Sequence, residues 1–330
     1  MWSDCGIPDN RAVSDAVHLL IPFASSIAQG CTQALRTLSL PQLEKLLARL
    51  APLHTEAGDE FTLSMPHERV LARECGLPCD DGRIPWAAWQ VVQEGRESGG
   101  YAWARITPCH WTVATDHIDM GYPHDLRLDA AESRSLLAAM QPFFEQDGIH
   151  LEYHAPTLWL AHGELFRNLA TASLDRVVGR AIDDWIPRAP EARTLRRLQQ
   201  EMQMLLYTHE TNEERLRGGL LPVNSFWASG TGALPAEHAA AVPWGLQVTH
   251  ELRDAALLAD WRGWAAAWQQ LDSKECARLV QAVDAGEAVT LTLCGDRKAR
   301  TWSSRPAGAL RRRLGGLFSG RQAAAVLESI

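Results

Sequence analysis

The sequence predicts a mixed α/β fold, with one or more mixed sheets packed against helices. Short apolar or alternating runs read as strands at several places along the chain. Between them stand longer segments with apolar residues at helical spacing, opened by Ser or Asp and closed by Gly or Pro. The composition, with 46% hydrophobic and 22% charged residues in a 330-residue chain, is that of a folded globular protein.

The elements follow in order. Val17–Phe23 reads as a short buried strand. Ser39-Leu40-Pro41-Gln42 predicts a helix start, with Ser39 as cap, and Leu43, Leu46, Leu47 and Leu50 on one face before Pro52. Ser64, Pro66 and Gly76 frame a second helix in the same way, and a third is expected from Pro85 to Glu94. Trp103–Ile106 and Trp111–Thr115 alternate like half-buried strands. Asp129-Ala130-Ala131-Glu132 is a capping box opening a helix that buries Leu136, Leu137, Met140 and Phe144. Gly148 releases the chain into strands at Ile149–Tyr153 and Thr157–Leu160, which completes a compact α/β unit.

A helix is expected from Pro190 to Thr208, then a strand ending before Gly230 and Gly232. Glu251–Leu271 reads as one helix with Trp261, Trp264 and Trp268 on a stripe. Another runs from Ser273 to about Ala285, followed by a strand, Ala288–Cys294, and a turn at Gly295-Asp296. A basic amphipathic helix is expected over Ala307–Phe318. No internal repeat is visible. Residues 1–16 are expected to be loose. The least costly cut falls near Asp183–Pro190, giving α/β lobes at 17–185 and 186–330 that equally form one continuous domain.

Composition also excludes. The net charge of −8 argues against a surface devoted to nucleic acid or anionic membrane, although Arg297–Arg321 is basic and holds no acidic residue. Arg311, Arg312 and Arg313 offer a nucleic-acid contact, but solvated arginines on a docked helix are the commoner case. The seven cysteines are odd in number and irregularly spaced, as expected of reduced thiols in a cytoplasm. Ala16–Ala28 lacks the basic start of a signal peptide, and no run reaches the ~20 apolar residues of a membrane span.

The densest group of special residues lies between His209 and Leu234. Gly230 and Gly232 would let main chain approach an anion, Arg215 and Arg217 would supply charge, and Asn212, Asn224 and Trp227 would orient a ligand. The competing reading is a structural loop whose Asn side chains satisfy buried main chain. Asp116-His117-Ile118-Asp119, with His124 and Asp125, and the pair Cys75/Cys79 with His67, each contain metal-binding chemistry, but turn hydrogen bonding and a missing second cysteine pair favour no metal. No P-loop, Rossmann fingerprint, nucleophile elbow or zincin helix is present. No cofactor is expected.

Pro222-Val-Asn224-Ser-Phe-Trp227-Ala-Ser-Gly230-Thr-Gly232, preceded by Asn212-x-x-Arg215 and Gly218-Gly219, resembles an element of archaeal-type cofactor-independent phosphoglycerate mutases. It resembles more closely the RpfE-type regulatory proteins of proteobacteria, and that resemblance extends to Trp103–His110, Leu128–Leu137, Gly148–Leu160 and Leu291–Gly295. The mutases imply an alkaline-phosphatase-like core with a phosphorylated serine and two metals held by Asp and His. Here Cys294-Gly-Asp296-Arg-Lys stands where the acidic stretch ending in Gly-His is expected, and no histidine follows His250. The resemblance therefore implies a shared fold element with a non-enzymatic regulatory role, binding a small anionic ligand or a protein partner. The alternatives are an enzyme on phosphorylated metabolites and a nucleic-acid-associated factor.

Overall fold

The computed structural model describes residues 17–234, 242–304 and 322–330. Within them lie eleven strands: β1 (Val17–Ile21), β2 (Ala51–Ala57), β3 (Ala102–Cys109), β4 (Trp111–Val113), β5 (Ile118–Met120), β6 (His150–Ala155), β7 (Leu158–His162), β8 (Ser225–Ala233), β9 (Leu246–Val248), β10 (Val289–Cys294) and β11 (Lys298–Ser303).

The first sheet is mixed, in the order β2-β11-β10-β1-β9. β1 runs parallel to both β10 and β9, whereas β11 is antiparallel to β10 and β2. Side chains alternate across β1. Leu19 and Ile21 join a core built with the helices Gln29–Thr37, Pro41–Arg49, Trp261–Leu271 and Ala277–Ala285. Leu20 points the other way, onto Val70 of the helix Pro66–Glu74. The second sheet, β6-β7-β3-β8, is antiparallel throughout. One face of it (Ala104, Ile106, Trp159, Phe226) packs on the helices Ala130–Glu145 and Arg193–Tyr207. The other (Trp103, Leu160) packs on the helix Trp86–Gln93.

The fold is thus the expected mixed α/β class. A cut at residue 185 would part β1 from β10 and β3 from β8, so each sheet draws on both expected lobes. The expected loose stretch 1–16 and the basic helix with Arg311, Arg312 and Arg313 lie outside the described residues.

Local differences have local causes. Ser39 does not cap its helix; the carboxylate of Asp272, far away in sequence, accepts Gln42 N and Leu43 N at 3.1 and 2.7 Å instead. The tryptophan stripe sits on a helix that starts only at Trp261. Ala259 turns left-handed (φ 53°) and Asp260 caps the new start, its Oδ1 accepting Gly263 N at 2.9 Å. Trp264 and Trp268 donate their ring N–H to Phe23 O and Ala24 O, fastening this helix to the end of β1. Strand β8 does not stop before the glycines. It runs through Gly230 and Gly232, whose φ values of 61° and 139° accompany a register shift against β3.

Candidate functional site

The residues expected to bind a ligand are mostly drawn into the interior. Asn212 Nδ2 donates to Leu206 O (2.8 Å) and Val223 O (2.6 Å), and its Oδ1 accepts Val223 N (2.9 Å). Asn224 closes a two-way bond with Trp111 main chain: Oδ1 accepts Trp111 N and Nδ2 donates to Trp111 O. Arg215 is buried, paired to Glu132 at 2.6 Å, and donates to Leu221 O and Leu126 O. Trp227 donates to Ala172 O. Gly230 and Gly232 admit the close approach of Trp86 and Pro85, since a Cβ at either position would meet their Cβ atoms at 3.0 Å. Arg217 alone faces solvent. Asn212, Arg215, Asn224 and Trp227 thus fasten main chain, and Gly230 lines a small pocket. That pocket, of about 10 Å³, lies between Ser64, Glu68, Trp86, Thr171 and Ser173, with room for one water.

A second gathering of polar side chains, not anticipated from the sequence, sits where three parallel strands end. The chain leaves β1 into Ser25-Ser26, β10 into Gly295-Asp296 and β9 into Thr249-His250. The carboxyl ends of neighbouring parallel strands form the usual binding edge of an α/β sheet. Two further segments face this edge. The helix Pro66–Glu74 brings His67, Glu68 and Arg69; the turn after Thr171 brings Ser173, Asp175, Arg176 and Arg180.

Several of these groups are spent on one another. Asp296 Oδ2 accepts Ser26 Oγ at 2.7 Å and Ile27 N at 3.0 Å, with Arg180 3.9 Å from its Oδ1. Asp175 receives the Arg253 guanidinium at 2.5 Å and lies 3.7 Å from His67 Nε2. Glu68 accepts Met65 N at 2.9 Å and Ser173 Oγ at 2.9 Å.

Others are unspent. Arg176 is 1% exposed, yet its Nε and Nη2 have no partner. Arg69 gives Nη1 to Ala57 O at 2.9 Å, while its Nε and Nη2 are buried and unpaired. His67 Nδ1 and Thr249 Oγ1 are likewise buried without partners. A buried guanidinium N–H left unpaired carries a desolvation cost that a bound acceptor removes.

Electrostatics follow from burial. Desolvation, only partly offset by Asp175, pushes the His67 imidazole down to about 4, so it is neutral near pH 7. Desolvation, reinforced by the Asp175 charge, pushes the Glu68 carboxyl up to about 7. Burial also lowers the proton affinity of Arg176, against the pull of Asp296. For Arg253, burial is outweighed by Asp175 together with Tyr122 and Asp254, which hold the guanidinium charged. Beside this edge opens a cleft of about 470 Å³ lined by Leu19, Gln247, Val248, Thr249, His250 and Glu251. His250 on its rim lies within electrostatic reach of His67.

Sequence reasoning passed over this site because its members come from five separated segments. The available signal was the strand-end rule itself, which marks Asp296 after β10. His117, in the turn considered for a metal, is bracketed by Asp116 (2.6 Å) and Asp119 (3.1 Å), while His67 faces Asp175.

The fold and this edge define a mixed α/β protein with a gathering of buried polar side chains at the ends of parallel strands. No family model matches the chain, and no curated protein matches it. Among solved structures it is distantly similar to the cofactor-independent phosphoglycerate mutase from Thermoplasma acidophilum DSM 1728, at 14% identity over 94% of each chain and a TM-score of 0.36. It is also similar to the PH0037 protein from Pyrococcus horikoshii, at 10% identity over 88% of this chain and 87% of that one, with a TM-score of 0.42. No helix among the described residues is long and apolar enough to cross a membrane.

Proposed function

We propose that the protein binds a small phosphorylated metabolite at the carboxyl ends of β1, β9 and β10, and serves as a non-enzymatic cytoplasmic regulatory protein of the type its Asn212–Gly232 motif resembles. One observation carries this reading: the buried Arg176 side chain holds two nitrogens, Nε and Nη2, with nothing to donate to. Adjacent guanidinium N–H groups match the spacing of phosphate or carboxylate oxygens, and such charge-assisted bonds are the strong ones. Arg69, whose Nη1 lies 3.3 Å from Glu56, and His67 Nδ1 add further buried nitrogens without hydrogen-bond partners on the helix Pro66–Glu74. Each of the six described cysteines is a free thiol, in keeping with a reducing compartment.

Binding is favoured over phosphoryl transfer because the carboxylates at this edge are engaged. Asp175 is committed to Arg253 and Asp296 to Ser26 and Ile27. The Ser26 hydroxyl also accepts Ala28 N at 3.2 Å, which makes it a turn fastener more than a nucleophile.

The test is a thermal-shift and calorimetric titration of the full chain with inorganic phosphate and a panel of phosphosugars and nucleotides. At a ligand concentration a hundredfold above Kd the folded state gains about 2.7 kcal/mol. Arg176→Met, which keeps the apolar stem, should abolish the gain while circular dichroism stays native. A blank panel, or equal binding by Arg176→Met, overturns the reading.

A further inference from the structure

On the second sheet, three side chains with metal-ligating chemistry face one another. We propose that His150, Glu152 and His162 form a binding site for one divalent transition-metal ion of the zinc class.

Strand pairing builds the arrangement. β6 and β7 are antiparallel, and His150 is the register partner of His162. Glu152 stands two residues beyond His150, so the pleat places it on the same face. Three ligand atoms, one from each side chain, all lie within 4.8 Å of one another. His162 Nε2 lies 3.9 Å from Glu152 Oε1, and the centroids of the two imidazole rings are 5.2 Å apart. Tetrahedral zinc with bonds of about 2.0–2.1 Å wants its ligand atoms near 3.4 Å apart. Side-chain rotations on the two-strand ladder are what binding requires to close that difference.

The surroundings set the ligands in place. Arg96 Nη2 binds Glu152 Oε2 at 2.6 Å, which orients the carboxylate and leaves Oε1 turned toward His162. Gln141 Nε2 lies 3.2 Å from His150 Nδ1, and its Oε1 accepts Leu151 N at 3.3 Å, so the amide presents a donor to the ring, a contact that metal binding through either ring nitrogen displaces. Tyr101 and Trp103 wall His162 at 5.1 and 4.9 Å between ring centroids. Contacts of this kind orient ligands and tune affinity in metal sites. Two imidazoles and one carboxylate with an open fourth position form a donor set that suits zinc and its neighbours, not calcium or magnesium, which take oxygen ligands. The site is half open to solvent at His150, so an ion has a path in.

Calorimetry with Zn²⁺ and optical titration with Co²⁺, on full-length protein first stripped with a chelator, test the proposal. Wild type should take up a single equivalent and give the intense visible bands of low-symmetry Co²⁺. His162→Ala and His150→Ala should each remove both signals. His154→Ala is the control, since His154 lies on the same strand but pairs with Glu94 at 3.6 Å. Its uptake should equal that of wild type. No saturable uptake by folded wild type, or an equal loss in His154→Ala, overturns the proposal. Phosphate binding by Arg176 is unaffected by either result.

Discussion

Replacing Asn212 by Ala separates a fastener from a ligand-binding group. The side chain is 2% exposed and makes three hydrogen bonds, to Leu206 O, Val223 O and Val223 N. Truncation removes all three bonds and leaves Val223 N and Val223 O buried without partners, while Leu206 O keeps the His209 amide. At roughly 1 kcal/mol net for each, the folded state should lose about 3 kcal/mol. Asn212→Asp should cost more, because a carboxylate oxygen then faces two carbonyl oxygens. Urea unfolding followed by circular dichroism measures the loss as a fall in midpoint at constant slope. Phosphate affinity, measured where both proteins are folded, should be unchanged. A loss below about 1 kcal/mol, or lost phosphate affinity at full stability, would refute the assignment of this residue to scaffolding.

Three further outcomes are expected. Asp272→Ala should cost about 1–2 kcal/mol by uncapping the helix Pro41–Arg49, measured by urea unfolding. Gly230→Ala should cost at least about 1–2 kcal/mol, since φ is 61° and the new Cβ would press on Trp86; thermal melting reads it directly. The third concerns pH. Glu68 is raised in the folded state from 4.5 to about 7, so its contribution to stability falls as pH rises through that interval. His67 is lowered from 6.5 to about 4, so its contribution rises with pH over an overlapping interval. The two slopes oppose between about pH 4.5 and 6.5. Glu68→Gln should expose a stability that climbs with pH there, and His67→Gln one that declines, in urea unfolding series from pH 4 to 8. Identical profiles for both variants would contradict these titrations.

Much of the fold was legible because its signals are local. Asp129 and Glu132 form the expected capping box, and the helix they open buries Leu136, Met140 and Phe144 as its spacing predicts. What escaped was set by partners distant in sequence. β2 carries the polar run His54-Thr55-Glu56 and is mostly exposed, because among the described residues it borders the first sheet and pairs with β11 alone. Its Pro52, which reads as a helix stop, is tolerated on an edge strand. The Asn212–Gly232 stretch was recognisable as special, and its Asn side chains do satisfy buried main chain. Its composition could not say whether amides and guanidiniums would turn outward or inward; that depended on Trp111, Glu132 and Leu126 arriving from another part of the chain. Arg176 gave no signal at all, since an arginine after Ser-Leu-Asp reads as an ordinary helix-start residue.

The pairing of Val17 with Val289 also sets a clock. At a ribosomal pace of about 5–20 residues per second, the first strand leaves the exit tunnel on the order of ten seconds or more before its neighbours. Throughout that wait Leu19, Leu20 and Ile21 belong to an apolar ribbon with neither edge occupied, the kind of segment that seeks foreign strands. The antiparallel sheet assembles earlier, once Ala233 has emerged. Nascent chains stalled short of residue 289 should therefore carry one finished sheet and one sticky, chaperone-seeking tail.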